Sequence, residues 1–70
     1  MYNYNKLKGK IVEKYGSSRA FSQVLGIAEW TLSQKLKGRY DFTQGEILRS
    51  CKLLGIPMKE VSAYFFNENV

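Results

Sequence analysis

Apolar residues recur at intervals of three and four positions along most of the chain, which is the pattern of helices with one buried face. Leu7, Ile11 and Tyr15 illustrate it, because a spacing of four residues places them one above another on a helix. Each of the first four apolar runs is followed by a glycine, a residue that commonly ends helices. The pattern predicts five helices, at about residues 4–15, 18–25, 28–36, 43–54 and 58–65.

Polar residues at the expected helix starts support these limits. Ser17 or Ser18 can cap the second helix by accepting a hydrogen bond from a backbone N–H of the first turn. Thr43-Gln44-Gly45-Glu46 matches a capping box, in which Thr43 and Glu46 satisfy each other's backbone N–H groups. Pro57 suits the first turn of the fifth helix, because it has no N–H to leave unsatisfied there.

The apolar stripes of these helices define the expected core. Cys51 lies on such a stripe, so we expect it to pack in the core rather than to take part in redox chemistry. Three consecutive aromatic side chains cannot all face one core, so at least one of Tyr64, Phe65 and Phe66 is expected on the surface. The residues expected inside are Leu7, Ile11, Val12, Tyr15, Phe21, Val24, Leu25, Ile27, Leu32, Leu36, Ile47, Leu48, Cys51, Leu54, Val61, Tyr64 and Phe65.

The second and third predicted helices are short and are joined by the turn Leu25-Gly26-Ile27-Ala28. Gly26 supplies a backbone conformation that other residues resist. Ser22, four residues earlier, is small enough for a close approach of the third helix, and Leu32, six residues after Gly26, points inward. This order of small residue, glycine and branched apolar residue predicts a helix-turn-helix over residues Ser18 to Lys37.

Several segments, taken in order, resemble the Cro and C1 repressor (XRE) family. The resemblance is closest to the very short Cro-like and modulator-of-repression (antirepressor) proteins of temperate phages of Gram-positive bacteria. It covers about residues 5–65 and implies an all-α, five-helix, lambda-repressor-like DNA-binding domain that acts in a lysis–lysogeny switch. The segments that carry the resemblance are Ser18–Ile27, Thr31–Ser33, Lys37-Gly38, Phe42–Ile47 and Leu54–Ile56. A length of 70 residues allows one domain, residues 1–70.

The start of the third helix departs from the family pattern. Ala28 stands where serine or threonine often caps this helix, so the helix start is expected to be weaker. Glu29 and Trp30 occupy the first exposed turn, where related repressors usually carry Gln, Ser, Arg or Lys. The scaffold of the helix-turn-helix is therefore ordinary for the family, whereas its reading surface is not.

Composition narrows the range of functions. Eleven Lys and Arg against six Asp and Glu give a net charge of +5, with the excess in the N-terminal half, which favours a polyanionic partner. With one cysteine and no histidine, the usual soft metal sites and the Ser-His-Asp and Cys-His catalytic groups cannot be built. We therefore expect neither an enzyme nor a cofactor. The chain has no apolar run of the ~20 residues that a membrane span needs and no signal peptide, so it is expected in the bacterial cytoplasm.

Polar and aromatic residues on the second and third helices are the candidate contacts. Gln34 is expected to face a groove, where its amide can pair with adenine, or to be an ordinary solvated residue of the helix. Glu29 can accept a hydrogen bond from cytosine, favour the helix N-terminus or contact a protein partner. Trp30, if it is exposed, is expected at a protein or DNA interface, and the alternative is packing against the core. For each serine, threonine or cation, contact with phosphate stands beside an ordinary solvated role. The full set for DNA or partner binding is Ser18, Arg19, Glu29, Trp30, Thr31, Ser33, Gln34, Lys35, Lys37 and Arg39.

Two functions fit these observations. The main hypothesis is a Cro-like transcriptional regulator that binds double-stranded operator DNA through the helix-turn-helix. The alternative is an antirepressor, or modulator of repression, that binds the DNA-binding domain of the phage C1-type repressor and blocks or alters its operator binding. Glu29, Trp30 and the C-terminal aromatic segment motivate the alternative, since they suit a protein interface better than a phosphate surface. The same aromatic segment leaves a homodimer open.

Overall fold

The computed structural model describes residues 2–68 and shows an all-α fold. Met1, Asn69 and Val70, which the predicted domain includes, lie outside the described residues. The expectation of a five-helix, all-α fold is confirmed. Helices α1 to α5 span Asn5–Tyr15, Ser18–Leu25, Glu29–Leu36, Gln44–Leu54 and Val61–Phe65, and a 3₁₀ turn, Met58–Glu60, leads into α5.

The helix ends form largely as the sequence predicts. Ser17, rather than Ser18, caps α2, because its hydroxyl accepts a hydrogen bond of 3.1 Å from the backbone N–H of Ala20. Both bonds of the capping box at α4 are present, from Glu46 N–H to the Thr43 hydroxyl (3.1 Å) and from Thr43 N–H to the Glu46 carboxylate (2.8 Å). Ala28 provides no side-chain cap for α3, as expected for an alanine.

The core lies where α2 packs against α1, α3 and α4, and α5 closes it against α1. Three aromatic rings join the ends of the chain to this core: the Phe42 ring centroid lies 5.4 Å from that of Tyr4 and 5.3 Å from that of Phe65. Cys51 is buried, and burial raises the pKa of its thiol, so it packs as a small apolar residue. The buried apolar residues are Tyr4, Leu7, Ile11, Phe21, Leu25, Leu32, Leu36, Cys51, Leu54, Ile56, Tyr64 and Phe65.

Three apolar residues expected inside are exposed instead: Val12, Val24 and Leu48. Each lies at the edge of the apolar stripe of its helix, and the buried apolar residues of these stripes are Leu7 and Ile11 in α1, Phe21 and Leu25 in α2, and Cys51 and Leu54 in α4. A domain of this size buries too little surface to cover a second row on every helix. The sequence pattern therefore identifies the apolar face of α1, α2 and α4 correctly but overestimates its width.

Candidate functional site

The segment predicted as a helix-turn-helix consists of α2, a turn of residues 26–28 and α3. Gly26 has a φ of 87°, in the left-handed region, and its N–H and that of Ile27 both donate to the carbonyl oxygen of Ser22, at 2.9 and 3.1 Å. The Ser22 hydroxyl donates to the carbonyl of Arg19 at 2.7 Å, and its side chain is buried. Leu32 is also fully buried. The three residues expected to set the approach of α3 to α2 thus lie where that role requires them.

One side of α3 faces solvent and presents an aromatic pair. Trp30 is 64% exposed, and its ring lies 6.3 Å from that of Tyr40, between centroids, at an interplanar angle of 55°. Glu29 precedes it and is exposed, Ser33 is half-buried one turn further on, and Lys37 is exposed at the end of the helix. We call Glu29, Trp30, Ser33, Lys37 and Tyr40 together the α3 face.

Tyr40 is a member of the α3 face that the sequence pattern did not identify. It lies in the irregular segment between α3 and α4, where no helical period assigns a side chain to a face. The one sequence feature that could have pointed to Tyr40 is an aromatic residue three positions after Lys37.

The expected exposure of Gln34 and Lys35 is wrong, since each is only 7% exposed. The chain turns back over α3 after it ends: the N–H groups of Gly38 and Arg39 donate to the carbonyl oxygens of Lys35 and Gln34, both at 3.0 Å. The Arg39 guanidinium also donates to the side-chain oxygen of Gln34 at 3.2 Å. The amide of Gln34 is therefore engaged inside the molecule and does not project into a groove as an adenine reader.

Lys35 is taken up by an ion pair with Glu46 in the first turn of α4. The same carboxylate oxygen accepts the N–H of Thr43. Burial alone would raise the pKa of the Glu46 carboxyl, but hydrogen bonds from Lys35 and Thr43 and the charge of Lys35 outweigh it and hold that pKa below its ordinary value. Lys35 therefore joins α3 to α4 and leaves no free ammonium for a phosphate.

The other candidate residues lie at or near the surface. Arg19 is exposed on α2, Thr31 is half-buried, and Arg39 is exposed with one nitrogen bonded to Gln34. Ser18, Ser33 and Lys37 come together with Lys8 of α1 around a cavity of about 290 Å³. The cavity, which we call the basic pocket, is lined by Lys8, Ile11, Val12, Ser18, Ser33, Leu36 and Lys37. Sequence reasoning missed Lys8 and Val12 here, because their meeting with α3 depends on how α1 packs.

A second cavity, of about 510 Å³, opens on the side of the molecule formed by the N-terminal segment, α4 and the end of α5. Phe66, at its rim, is 46% exposed, while Tyr64 and Phe65 are buried, so the expectation that at least one of these aromatics reaches the surface is confirmed. The lining is Tyr2, Tyr4, Asp41, Phe42, Gln44, Ile47, Leu48, Phe65 and Phe66.

Within residues 2–68, no three His, Cys, Asp or Glu side chains group closely enough to hold a metal ion. Among the helices of that range, none has the length and apolar character needed to cross a membrane.

Comparison with known proteins identifies a similar solved structure and a family. The chain is similar to the modulator of repression (MOR) of the temperate bacteriophage TP901-1 from Lactococcus lactis, solved in solution. The two are 36% identical, the match covers 99% of this chain and 93% of that chain, and the TM-score is 0.83. No curated protein matches. A family model matches residues 1–68, and the chain accordingly belongs to the family described as protein of unknown function (DUF739).

Proposed function

We propose that this protein is a modulator of repression that binds the DNA-binding domain of a phage repressor and alters the binding of that repressor to its operator. The similarity to the MOR protein of a temperate phage supports this role, because it extends over nearly the full length of both chains. The proposal places the protein in the bacterial cytoplasm, where the repressor and its operator lie, and gives it no catalytic step.

The exposed surface of α3 is the observation that carries the proposal. Gln34 and Lys35, two of the residues expected to contact DNA, are buried, while Trp30 and Tyr40 present an aromatic pair to solvent. Tryptophan and tyrosine are enriched among the residues that dominate the energy of protein–protein interfaces. The acidic Glu29 beside them would be repelled by phosphates but would attract a basic surface such as the operator-reading face of a repressor.

Operator DNA is the second candidate ligand. The net charge of +5 and the exposed Arg19 and Lys37 favour it, since cations at these positions suit backbone phosphates. Homodimerisation through the C-terminal aromatic segment, which a Cro-like protein on a symmetric operator would need, stays a prediction.

A binding experiment separates the two ligands. The purified protein is titrated, by calorimetry, with the cognate phage repressor, and by fluorescence anisotropy with the operator duplex of that repressor at several salt concentrations. We expect a stable complex with the repressor and loss of the repressor's operator binding. Sequence-specific DNA binding with a steep salt dependence, and no complex with the repressor, would instead establish the Cro-like function.

The α3 face is tested by Trp30→Ala with Met58→Ala as its matched control. Both side chains are large, apolar and exposed, but Met58 lies in the 3₁₀ turn before α5. We expect Trp30→Ala to weaken binding to the repressor by at least about 30-fold, as for an interface residue worth ~2 kcal/mol, and Met58→Ala to change it by less than about twofold. Equal, small effects of the two variants would exclude the α3 face as the binding surface.

A further inference from the structure

The basic pocket lies between three helices and adjoins the α3 face, with which it shares Ser33 and Lys37. Its volume, about 290 Å³, is far larger than the ~30 Å³ that one water molecule occupies in the liquid. The pocket therefore has room for a side chain from a molecule that docks on α3.

The polar groups around the pocket are cations and hydroxyls, and none of the lining residues is acidic. Lys8 and Lys37 are exposed, and the hydroxyls of Ser18 and Ser33 add neutral donors. Glu13, the acidic residue of α1, does not line the pocket. Its carboxylate oxygen Oε2 lies 3.4 Å from Nζ of Lys10. Ser18 is also the first residue of α2, where the backbone N–H groups have no acceptor within the helix and favour a negative charge.

The rest of the pocket lining is apolar. Ile11 and Leu36 are buried, and Val12 is exposed. A ligand that satisfies both parts must combine an anionic end with an apolar stem. The side chain of glutamate has this form, since its methylene groups can contact Val12 and Leu36 while its carboxylate reaches Lys8 or Lys37. A DNA phosphate is instead linked to a deoxyribose on both sides, so it cannot enter the pocket as the free end of an apolar stem.

We propose that, when the α3 face docks on the repressor, the basic pocket binds a carboxylate side chain of the repressor. This inference rests on the proposed function. Docking would remove Lys37 and Lys8 from water, and an ammonium buried without a counter-charge is strongly unfavourable. A partner carboxylate removes that penalty and forms charge-assisted hydrogen bonds with the two lysines and the serines. The pocket thus selects partners that carry an acid at this place.

The test uses two charge-matched double variants. Lys8→Gln with Lys37→Gln removes both ammonium groups of the pocket, and Lys52→Gln with Lys59→Gln removes two exposed lysines outside it. Both lower the net charge by the same amount, so non-specific electrostatics cancels in the comparison. Binding to the cognate repressor is measured by calorimetry, and to the operator duplex by anisotropy, after circular dichroism has shown that both variants melt like the parent chain.

We expect the pocket variant to bind the repressor at least about tenfold more weakly than the control variant, as for a hydrogen-bonded charge pair that loses one side. Single Asp→Asn and Glu→Gln changes across the DNA-binding domain of the repressor then identify the carboxylate: its loss should weaken binding to the parent chain but cause no further loss with the pocket variant.

Three results would overturn the inference, and they differ in whether the proposed function is still supported. If the parent chain binds the repressor and both double variants bind within about twofold of each other, the carboxylate site is wrong and the proposed function stands. If the pocket variant loses binding to the operator duplex but not to the repressor, the pocket is a phosphate site. If the parent chain does not bind the repressor at all, the proposed function fails and the carboxylate site fails with it.

Discussion

Lys35 of α3 and Glu46 of α4, which are eleven positions apart in the sequence, form a buried ion pair that joins the two helices. The Glu46 carboxylate oxygen that receives the Lys35 ammonium also accepts the backbone N–H of Thr43 at 2.8 Å. One carboxylate therefore caps α4 and fixes the end of α3 at the same time.

Replacing Lys35 with methionine should destabilise the protein. The Glu46 carboxylate would remain buried without its counter-charge, and breaking a buried pair from one side typically costs about 3 kcal/mol. Urea unfolding at pH 7 measures the change. The exposed Lys52→Met is the control and should alter the free energy of unfolding by less than about 0.5 kcal/mol. Equal changes in the free energy of unfolding for the two variants would show that the ion pair does not stabilise the fold.

The stability of the protein should fall with acidity in a way that depends on Glu46. Hydrogen bonds from Lys35 and Thr43, which outweigh the effect of burial, lower the pKa of the Glu46 carboxyl from 4.5. A carboxyl whose folded pKa is depressed contributes stability above its unfolded pKa, and this contribution is lost as the pH falls through the folded value.

This pH dependence is checked by urea unfolding of the parent chain and of Glu46→Gln between pH 7 and pH 3. Glu46→Gln should be the less stable at pH 7, and the difference should shrink as the pH falls below about 4.5. A difference that stays constant over this range would contradict the depressed pKa.

Ser50→Ala should stabilise the protein. Among the residues that the structure describes, the Ser50 hydroxyl is buried with no hydrogen-bond partner, and a buried, unsatisfied polar group costs about 1 kcal/mol or more. Thermal unfolding gives the measurement, with the exposed Ser62→Ala as a control that reports helix propensity without burial. A lower melting temperature for Ser50→Ala than for the parent chain would mean that the hydroxyl is satisfied in solution.

Two glycine-to-alanine changes should act in opposite directions. Gly26 has a φ of 87°, so alanine there is strained and should destabilise the protein by about 1 kcal/mol. Gly9 lies inside α1 and is exposed, with no atom within 4 Å of an added Cβ, so alanine should stabilise by up to about 1 kcal/mol. The free energy of unfolding of both variants is measured by chemical denaturation. If it changes in the same direction for both, either the strain expected at Gly26 or the helix stabilisation expected at Gly9 is wrong.

Much of the fold follows from local patterns. The apolar spacing and the following glycines locate the helices, and every predicted helix start lies within one residue of a helix or 3₁₀ turn in the structure. The capping box at Thr43 and the left-handed turn at Gly26 form as their residue types predict. These features can be predicted from the sequence because they depend on contacts between residues at most a few positions apart.

Only part of the candidate site could be predicted from the sequence. Trp30 is exposed as the departure from the family pattern suggested, whereas Gln34 and Lys35 are not. Their polar character indicated a surface position, but polar groups can be buried when they find partners, and Arg39 and Glu46 provide them. Those partners lie five and eleven positions further along the chain, beyond the reach of a helical pattern.

The sequence by itself determined the helices, their ends and the short turn that sets α3 against α2, because spacing, caps and glycine conformations act locally. Only the tertiary structure decided which residues of α3 reach a ligand. The return of the chain at Gly38 and Arg39 buries Gln34 and Lys35 and brings Tyr40 to Trp30, and the packing of α1 brings Lys8 to Lys37. These choices depend on contacts between separate elements, and such contacts leave no period in the sequence.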